Sequence, residues 1–341
     1  MLASLRGALS LLQEKNVLHK LGVVISILVI GFACYVLYKL LRGIDAGHVV
    51  DAIKAIAPRD VALAALFVAG AYFTLTFYDF FATRAIGRSD VPYRVTALAA
   101  FTSYSIGHNV GASALTGAAV RYRIYSAWGL TAIDVAKVCF LAGLTFWLGN
   151  VAVLGLGAAY HPEAAAAINQ MPIWLNQIVA VTLLVALAGY VAWVSAKPRQ
   201  VGRGSWTVTL PGGPLTLLQI LIGIVDLALC ALAMYMLVPD EPFVDFVSVA
   251  VIFVTATLLG FASHSPGGLG VFDAAMLVGL SHLDREDLLA GMLLFRLLYY
   301  IVPFILSLLL LAVREALASS RRRAETQAPG LHTTRHDHLG A

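Results

Sequence analysis

Apolar runs of about twenty or more residues punctuate the chain, at about 21–41, 60–82, 132–158, 173–195, 215–238 and 288–313. Each is long enough to cross roughly 30 Å of hydrocarbon as a helix, which takes about 20 residues. Two further apolar stretches, about 95–120 and 246–283, carry Gly and polar residues near their middles. Gly and Pro at those points predict that neither stretch continues as one straight helix. The expected class is an all-α polytopic membrane protein of about eight apolar segments, with six full spans and two re-entrant hairpins.

Composition agrees. Of 341 residues, 60% are hydrophobic and 12% charged, against roughly 25% charged in a soluble domain. The net charge of +4 sits in Lys and Arg between the apolar runs. That placement reads as anchoring to an anionic cytoplasmic leaflet rather than nucleic-acid binding. Cys34, Cys139 and Cys230 each lie inside an apolar run, with no CxxC pair, so neither a disulfide framework nor a metal site is implied. Arg6, Lys15 and Lys20 precede a run long enough to span, which predicts a retained first helix rather than a cleaved signal. There is no Walker loop, HExxH or GxSxG, so no cofactor is implied and an ATP-driven mechanism would need a partner subunit.

The basic segments set a topology. Arg84, Arg88 and Arg94, then Arg121 and Arg123, then Lys197, Arg199 and Arg203, and finally Arg314 and Arg321 to Arg323 mark cytoplasmic segments. The 159–172 loop, with Glu163, and the 239–245 loop, with Asp240, Glu241 and Asp245, mark outside ones. The 42–59 loop disagrees, since it holds Arg42, Lys54 and Arg59 where alternation puts it outside. These assignments send 95–120 in from the cytoplasm and back, and 246–283 in from outside and back. The order is then an inverted repeat, with halves at about 21–160 and 173–313 dividing near residue 165. Inverted repeats with interrupted helices point to a transporter with its site near the midplane. The competing reading makes 95–120 one long tilted span. Residues 1–20 are expected as a cytoplasmic segment, 21–315 as a single membrane domain, and 316–341 as a basic, disordered cytoplasmic tail.

Polar residues at membrane depth carry the candidate chemistry. The run Ser103-Tyr104-Ser105-Ile106-Gly107-His108-Asn109-Val110-Gly111 lies mid-stretch. His108 and Asn109 must face protein, water or ligand there, either in a glycine-lined packing seam or along a polar path. Arg121-Tyr122-Arg123-Ile124-Tyr125 follows. An Arg fork matches a phosphate, so Arg121, Arg123 and Tyr125 are candidates for a lipid headgroup; ordinary positive-inside anchoring explains the same residues. The most informative run is Ser263-His264-Ser265-Pro266-Gly267-Gly268-Leu269-Gly270-Val271-Phe272-Asp273. Pro266, Gly267, Gly268 and Gly270 interrupt the helix, and a helix starting after Gly270 presents free N–H groups to an anion. His264, Ser265 and Asp273 flank it, and Asp273 either caps that start or holds a cation or proton. Arg296, Tyr299 and Tyr300 precede Pro303 in the last span. Lys137, Gln219 and Asp226 are secondary candidates. Arg296 and Asp226 need a partner, with each other or with Asp273 as the choices. Trp147, Trp174, Trp193 and Trp206 read as interfacial or packing aromatics.

At these residues the chain resembles the lysylphosphatidylglycerol synthase transmembrane-region family. The resemblance rests on Gly117 to Leu130, Leu144 to Gly149, His264 to Phe272 and Arg296 to Pro303, and covers most of residues 20–315. That family includes YbhN-like inner-membrane proteins and the flippase half of bifunctional aminoacyl-phosphatidylglycerol synthetases. It implies a multi-pass protein of the bacterial cytoplasmic membrane that moves a lipid between leaflets, and the basic segments at the two ends are expected to hold both termini in the cytoplasm. Two departures matter. The family usually has Glu after Val271-Phe272, where this chain has Asp273. No soluble aminoacyl-transferase domain is seen, so synthase activity is not expected.

The leading expectation is a transporter or flippase for an anionic or aminoacylated phospholipid, with His264 and Asp273 supplying charge or proton coupling. A non-transporting membrane partner of a lipid-synthesising enzyme and a small-solute or ion transporter are the alternatives. An embedded enzyme is disfavoured because no nucleophile–base pair stands out.

Overall fold

The computed structural model describes residues 46–110, 113–204, 206–239 and 241–327. The expected segment 1–20, the first span at 21–41 and residues 328–341 of the tail lie outside the described residues.

A short helix, α1 (Ala46–Ala55), leads into α2 (Pro58–Ala85). Pro58 opens α2 where a missing N–H costs no helical bond, and Asp60 and Arg84 match the two ends of its dipole. Helices α3 (Tyr93–Val110) and α4 (Ser113–Tyr125) follow. Next comes α5 (Ala132–Tyr160), begun by a capping box in which Thr131 and Asp134 satisfy each other's backbone N–H. Then come α6 (Pro162–Asn169), α7 (Ile173–Ala196) and α8 (Gly213–Tyr235). The Asp245 carboxylate accepts from the Ser248 N–H to start α9 (Phe246–Ala262). A tight turn at Pro266–Gly268 leads to α10 (Val271–Gly279). Asp284 caps α11 (Arg285–Arg296), which runs through a π turn (Leu297–Ile301) into α12 (Val302–Gln327).

Among the described residues, α2, α5, α7, α8 and the continuous Arg285–Arg314 segment are long and apolar enough to cross a bilayer. This is a helical membrane protein. Leu66, Val185 and Leu309 point outward from three of these segments, as lipid contact requires. Trp147 and Trp174 are also exposed.

The two interrupted stretches each fold back on themselves. A Cβ on Gly117 would lie 3.4 Å from the Ser103 carbonyl oxygen, so α3 and α4 lie side by side. A Cβ on Gly260 would lie 3.2 Å from the Gly268 Cα, so the Pro266–Gly268 turn returns onto α9. Gly267, Gly268 and Gly270 have φ of +60°, +64° and +82°, a region that glycine enters without a Cβ clash.

Three features depart from the sequence reading. The segment carrying Lys197, Arg199 and Arg203, expected only as a basic connection between spans, holds a hairpin in which β1 (Gln200–Arg203) and β2 (Trp206–Thr209) pair antiparallel with Val201 opposite Val208. Val208 is buried and Trp206 meets Phe140 edge-on at 5.4 Å. Trp206 to Thr209 alternates over four residues, the shortest run in which alternation marks a strand. The 42–59 segment contains α1, which packs on α11. The last helix runs on to Gln327, through residues 316–327 of the expected tail.

The main core joins α2, α8, α9, α10 and α11, through Ala71, Met234, Val254, Met276 and Phe295. Helices α5 and α8 cross at Gly149 and Gly223, where a Cβ on Gly149 would fall 2.6 Å from the Gly223 Cα. Lipid offers no hydrophobic force to join helices, so close backbone approach at small residues does this work.

Candidate functional site

Two adjoining cavities lie where the two interrupted stretches meet. The Pro266–Gly268 turn packs against α3. The larger cavity, about 360 Å³, is bounded by residues of α2, α3, α4, α5, α8, α9 and the π turn. The smaller, about 250 Å³, reaches the Pro266–Gly268 turn. Gly107, His108, Ala114, Thr257, Phe261, Tyr299 and Tyr300 line both.

His108 stands between them. Its ring is stacked on Tyr299 at 6.0 Å and meets Phe261 edge-on at 5.6 Å. Its Nδ1 has no hydrogen-bond partner. Asn109 has a fixed task instead. Its amide donates to the Ser105 carbonyl at 2.8 Å and to the Tyr300 carbonyl at 3.0 Å.

Pro303 leaves a neighbouring carbonyl in the same need. Proline has no N–H, so the Tyr299 carbonyl four residues earlier loses its helical donor. The π turn at Leu297–Ile301 relieves the ring and shifts the local ladder. The Tyr72 hydroxyl then donates to the Tyr299 carbonyl at 2.9 Å, and Asn109 serves Tyr300. Side chains of α2 and α3 thereby hold the π turn open toward the cavities.

Arg121 lines the larger cavity, but its fork is engaged. Its Nε lies 2.9 Å and its Nη2 2.8 Å from opposite oxygens of Asp79. The Tyr125 hydroxyl donates to the same carboxylate at 2.8 Å. Asp79 is fully buried and Arg121 is 6% exposed. The guanidinium also lies over the Tyr104 ring at 4.7 Å. Asp79 was not singled out in the sequence, although a lone Asp in an apolar span is a signal that it has a cationic partner or a task. Tyr72, Tyr78 and Tyr104 were missed for a weaker reason, since tyrosines in spans are common as packing aromatics.

The partner left open for Arg296 is Asp273. Nη2 of Arg296 donates to both carboxylate oxygens at 2.7 and 2.8 Å, and Nη1 donates to the Gly267 carbonyl at 3.1 Å. Asp273 also accepts from the Gly270 N–H at 2.9 Å. The shorter carboxylate therefore still caps α10 and reaches the guanidinium. This ion pair clamps the Pro-Gly-Gly turn to α11, with the guanidinium near the rings of Phe272 and Tyr300.

Asp226 lines the larger cavity and is 4% exposed. The Tyr78 hydroxyl donates to its Oδ2 at 3.0 Å, while its Oδ1 has no partner. Ser103 Oγ, on the same cavity, is also unpartnered. Buried polar groups are normally hydrogen-bonded, so these atoms mark where water or ligand atoms belong.

Other candidates fall elsewhere. His264 is exposed at the turn, its ring nitrogen 2.9 Å from the Ala262 carbonyl. Ser265 is buried against the Ser263 hydroxyl at 2.9 Å. Both line the smaller cavity with Gly267 and Gly268, whereas Pro266 and Gly270 only shape the turn. Gln219 donates to Thr145 at 2.8 Å, away from both cavities. Arg123 is exposed near the end of α4 and Lys137 half-buried near the start of α5, and neither lines a cavity.

Comparison with known proteins assigns the family. The model of the lysylphosphatidylglycerol synthase TM region matches residues 21–307. The chain belongs to this family. Among its relatives, protein slr0712 of Synechocystis sp. is 29% identical over 74% of this chain and 79% of its own length. The inner membrane protein YbhN of Escherichia coli is 26% identical over 62% of this chain and 67% of its own. The phosphatidylglycerol lysyltransferase of Staphylococcus aureus is 27% identical over 82% of this chain, but the match spans only 32% of that longer protein. The family links the chain to membrane lipids.

Proposed function

We propose that this family member is a lipid translocator of the bacterial inner membrane, moving an anionic or aminoacylated phospholipid headgroup between leaflets. The observation that carries this reading is the junction of the two fold-back units. Residues flanking both breaks line adjoining cavities walled by His108, Phe261, Tyr299 and Tyr300 and lined by polar atoms without partners. A headgroup needs such a polar passage, and irregular backbone at membrane depth is tolerated where it is buried in protein or lines one. The lipid-related role of the family, and the inner-membrane name of YbhN, support the same reading. The lysyl-transfer activity named for the S. aureus relative belongs to a protein three times as long as the matched region and is not carried over.

In this reading α3–α4 enters from the cytoplasm and α9–α10 from the outside, as the two re-entrant hairpins of an inverted repeat with both chain ends cytoplasmic. Arg121 then acts on the headgroup through the field of an ion pair that Asp79 has largely neutralised, rather than as a free phosphate clamp.

The test is leaflet exchange of a fluorescent phosphatidylglycerol in liposomes holding the purified protein, read by quenching of the outer leaflet. Severalfold faster exchange than in empty liposomes is expected, with slowing when the shared wall is filled by Ala114→Trp. Exchange no faster than in empty liposomes refutes translocation. Single cysteines at the exposed positions Arg123 and His264, in a background without the native thiols, test the topology. Labelling of position 123 only from the cytoplasm and of position 264 only from outside is expected.

A further inference from the structure

The ionised groups around the cavities do not balance. Arg121 is matched by Asp79 and Arg296 by Asp273, each through a two-pronged contact. Asp226 is a buried carboxylate on the larger cavity with no cationic partner among the described residues. Tyr78 donates to one of its oxygens and the other is bare. An isolated carboxylate at that depth is strongly disfavoured as an anion. It must take up either a proton or a cation.

The surroundings decide between these. The titratable groups facing Asp226 are Tyr72 and Tyr78 from α2, Tyr104 from α3, Cys230 one turn along its own helix, and Tyr299 from the π turn. His108 and Arg121 lie on the same cavity. A hard metal cation takes about six oxygen ligands, usually with further carboxylates or carbonyls. No cluster of three His, Cys, Asp or Glu suited to a metal exists among the described residues. A proton needs only the bare Oδ1. We propose that Asp226 is a proton-exchange site opening onto the larger cavity, and that its proton is released when a positive group enters and returns when it leaves. The step is a plain proton transfer, from the Asp226 carboxyl to water in the cavity, leaving the carboxylate with its Tyr78 hydrogen bond.

This assignment moves proton chemistry away from Asp273 and His264. Asp273 is locked to Arg296 and to the Gly270 N–H, and His264 is exposed at the turn. The proton site stands on the geometry alone; its coupling to cargo rests on the translocation reading.

The experiment has two arms. In the first, infrared difference spectra of the purified protein in lipid are titrated with pH. A protonated-carboxyl band at neutral pH is expected, lost in Asp226→Asn and retained in Asp51→Asn. Tyr78→Phe, which deletes the bond favouring the charged form, moves the midpoint up by about one pH unit. That variant tests the site even if Asp226→Asn does not fold. Absence of a neutral-pH band that depends on Asp226, or an unmoved midpoint in Tyr78→Phe, overturns the proposal. In the second arm, lipid exchange is followed in liposomes under an imposed pH gradient. The gradient is expected to change the wild-type rate severalfold and to leave Asp226→Asn unaffected. Wild-type exchange indifferent to the gradient overturns the coupling and leaves translocation intact. No exchange in any sample removes translocation, and the infrared arm then judges the proton site by itself.

Discussion

Removing Asp79 is the sharpest test of how this membrane domain holds its charges. In Asp79→Ala the Arg121 guanidinium loses both prongs of its contact, at 2.9 and 2.8 Å, and the Tyr125 hydroxyl loses its acceptor. At 6% exposure, Arg121 cannot recover its hydration. Breaking a buried pair from one side costs about 3–5 kcal/mol. With an unfolding entropy of about 2.1 cal/mol/K per residue, a chain of this size should lose about 4–7 °C in Tm. The comparison that matters is the double variant Asp79→Ala with Arg121→Met, which leaves no charge behind. Replacing a whole buried pair by apolar groups is often close to neutral, so the double variant should recover most of the loss. The assay is thermal unfolding in detergent, followed by tryptophan fluorescence, with a complete double-mutant cycle. If the single variant melts within about 1 °C of wild type, or the double variant is no better than the single, Arg121 is not a buried partner of Asp79. It would then be the free phosphate-seeking arginine that the sequence alone allows.

Other outcomes follow from the same packing. Arg296→Lys keeps the charge but cannot span both Asp273 oxygens and the Gly267 carbonyl together, so thermal unfolding in detergent should come at a lower temperature than in the wild type. Gly149→Ala places a methyl 2.6 Å from the Gly223 Cα. Overpacking of this kind costs about 1–3 kcal/mol, visible as a lower Tm, while Gly143→Ala, with open space beside it, should change little. Burial pushes the Asp245 carboxyl up, but the Ser248 hydrogen bonds and the nearby His161 outweigh that and hold it below the usual Asp range. A lowered folded pKa means the cap of α9 is in place above the unfolded Asp value and is lost as pH falls through the folded one. Amide exchange at Ser248 should therefore accelerate, relative to Asp245→Asn, only in acid.

Much of this architecture is legible in the chain because its causes are local. The length of an apolar run determines whether a helix can cross the bilayer, so α2, α5, α7 and α8 fall within a few residues of their expected places. Thr131, Asp245 and Asp284 cap helices by reaching two or three residues along the backbone. Gly267, Gly268 and Gly270 break the chain for a reason internal to each residue. The short β1–β2 hairpin has only a four-residue alternation in β2 as its signal, and it takes hold through Trp206 against Phe140, which lies in another element.

The site is different, since its contacts join residues far apart in sequence. Asp79 and Arg121 are 42 residues apart, Tyr78 and Asp226 are 148, and Asn109 and Tyr300 are 191. The sequence determined that buried charges exist and must be neutralised, because hydrocarbon tolerates nothing else. Only the tertiary structure decided that Arg296 takes Asp273, that Arg121 takes Asp79 and that Asp226 is left to face the cavity. Those choices depend on how the helices cross, and the crossings are fixed by shape complementarity at contacts such as Gly149 and Gly223, which no pattern along a single chain encodes.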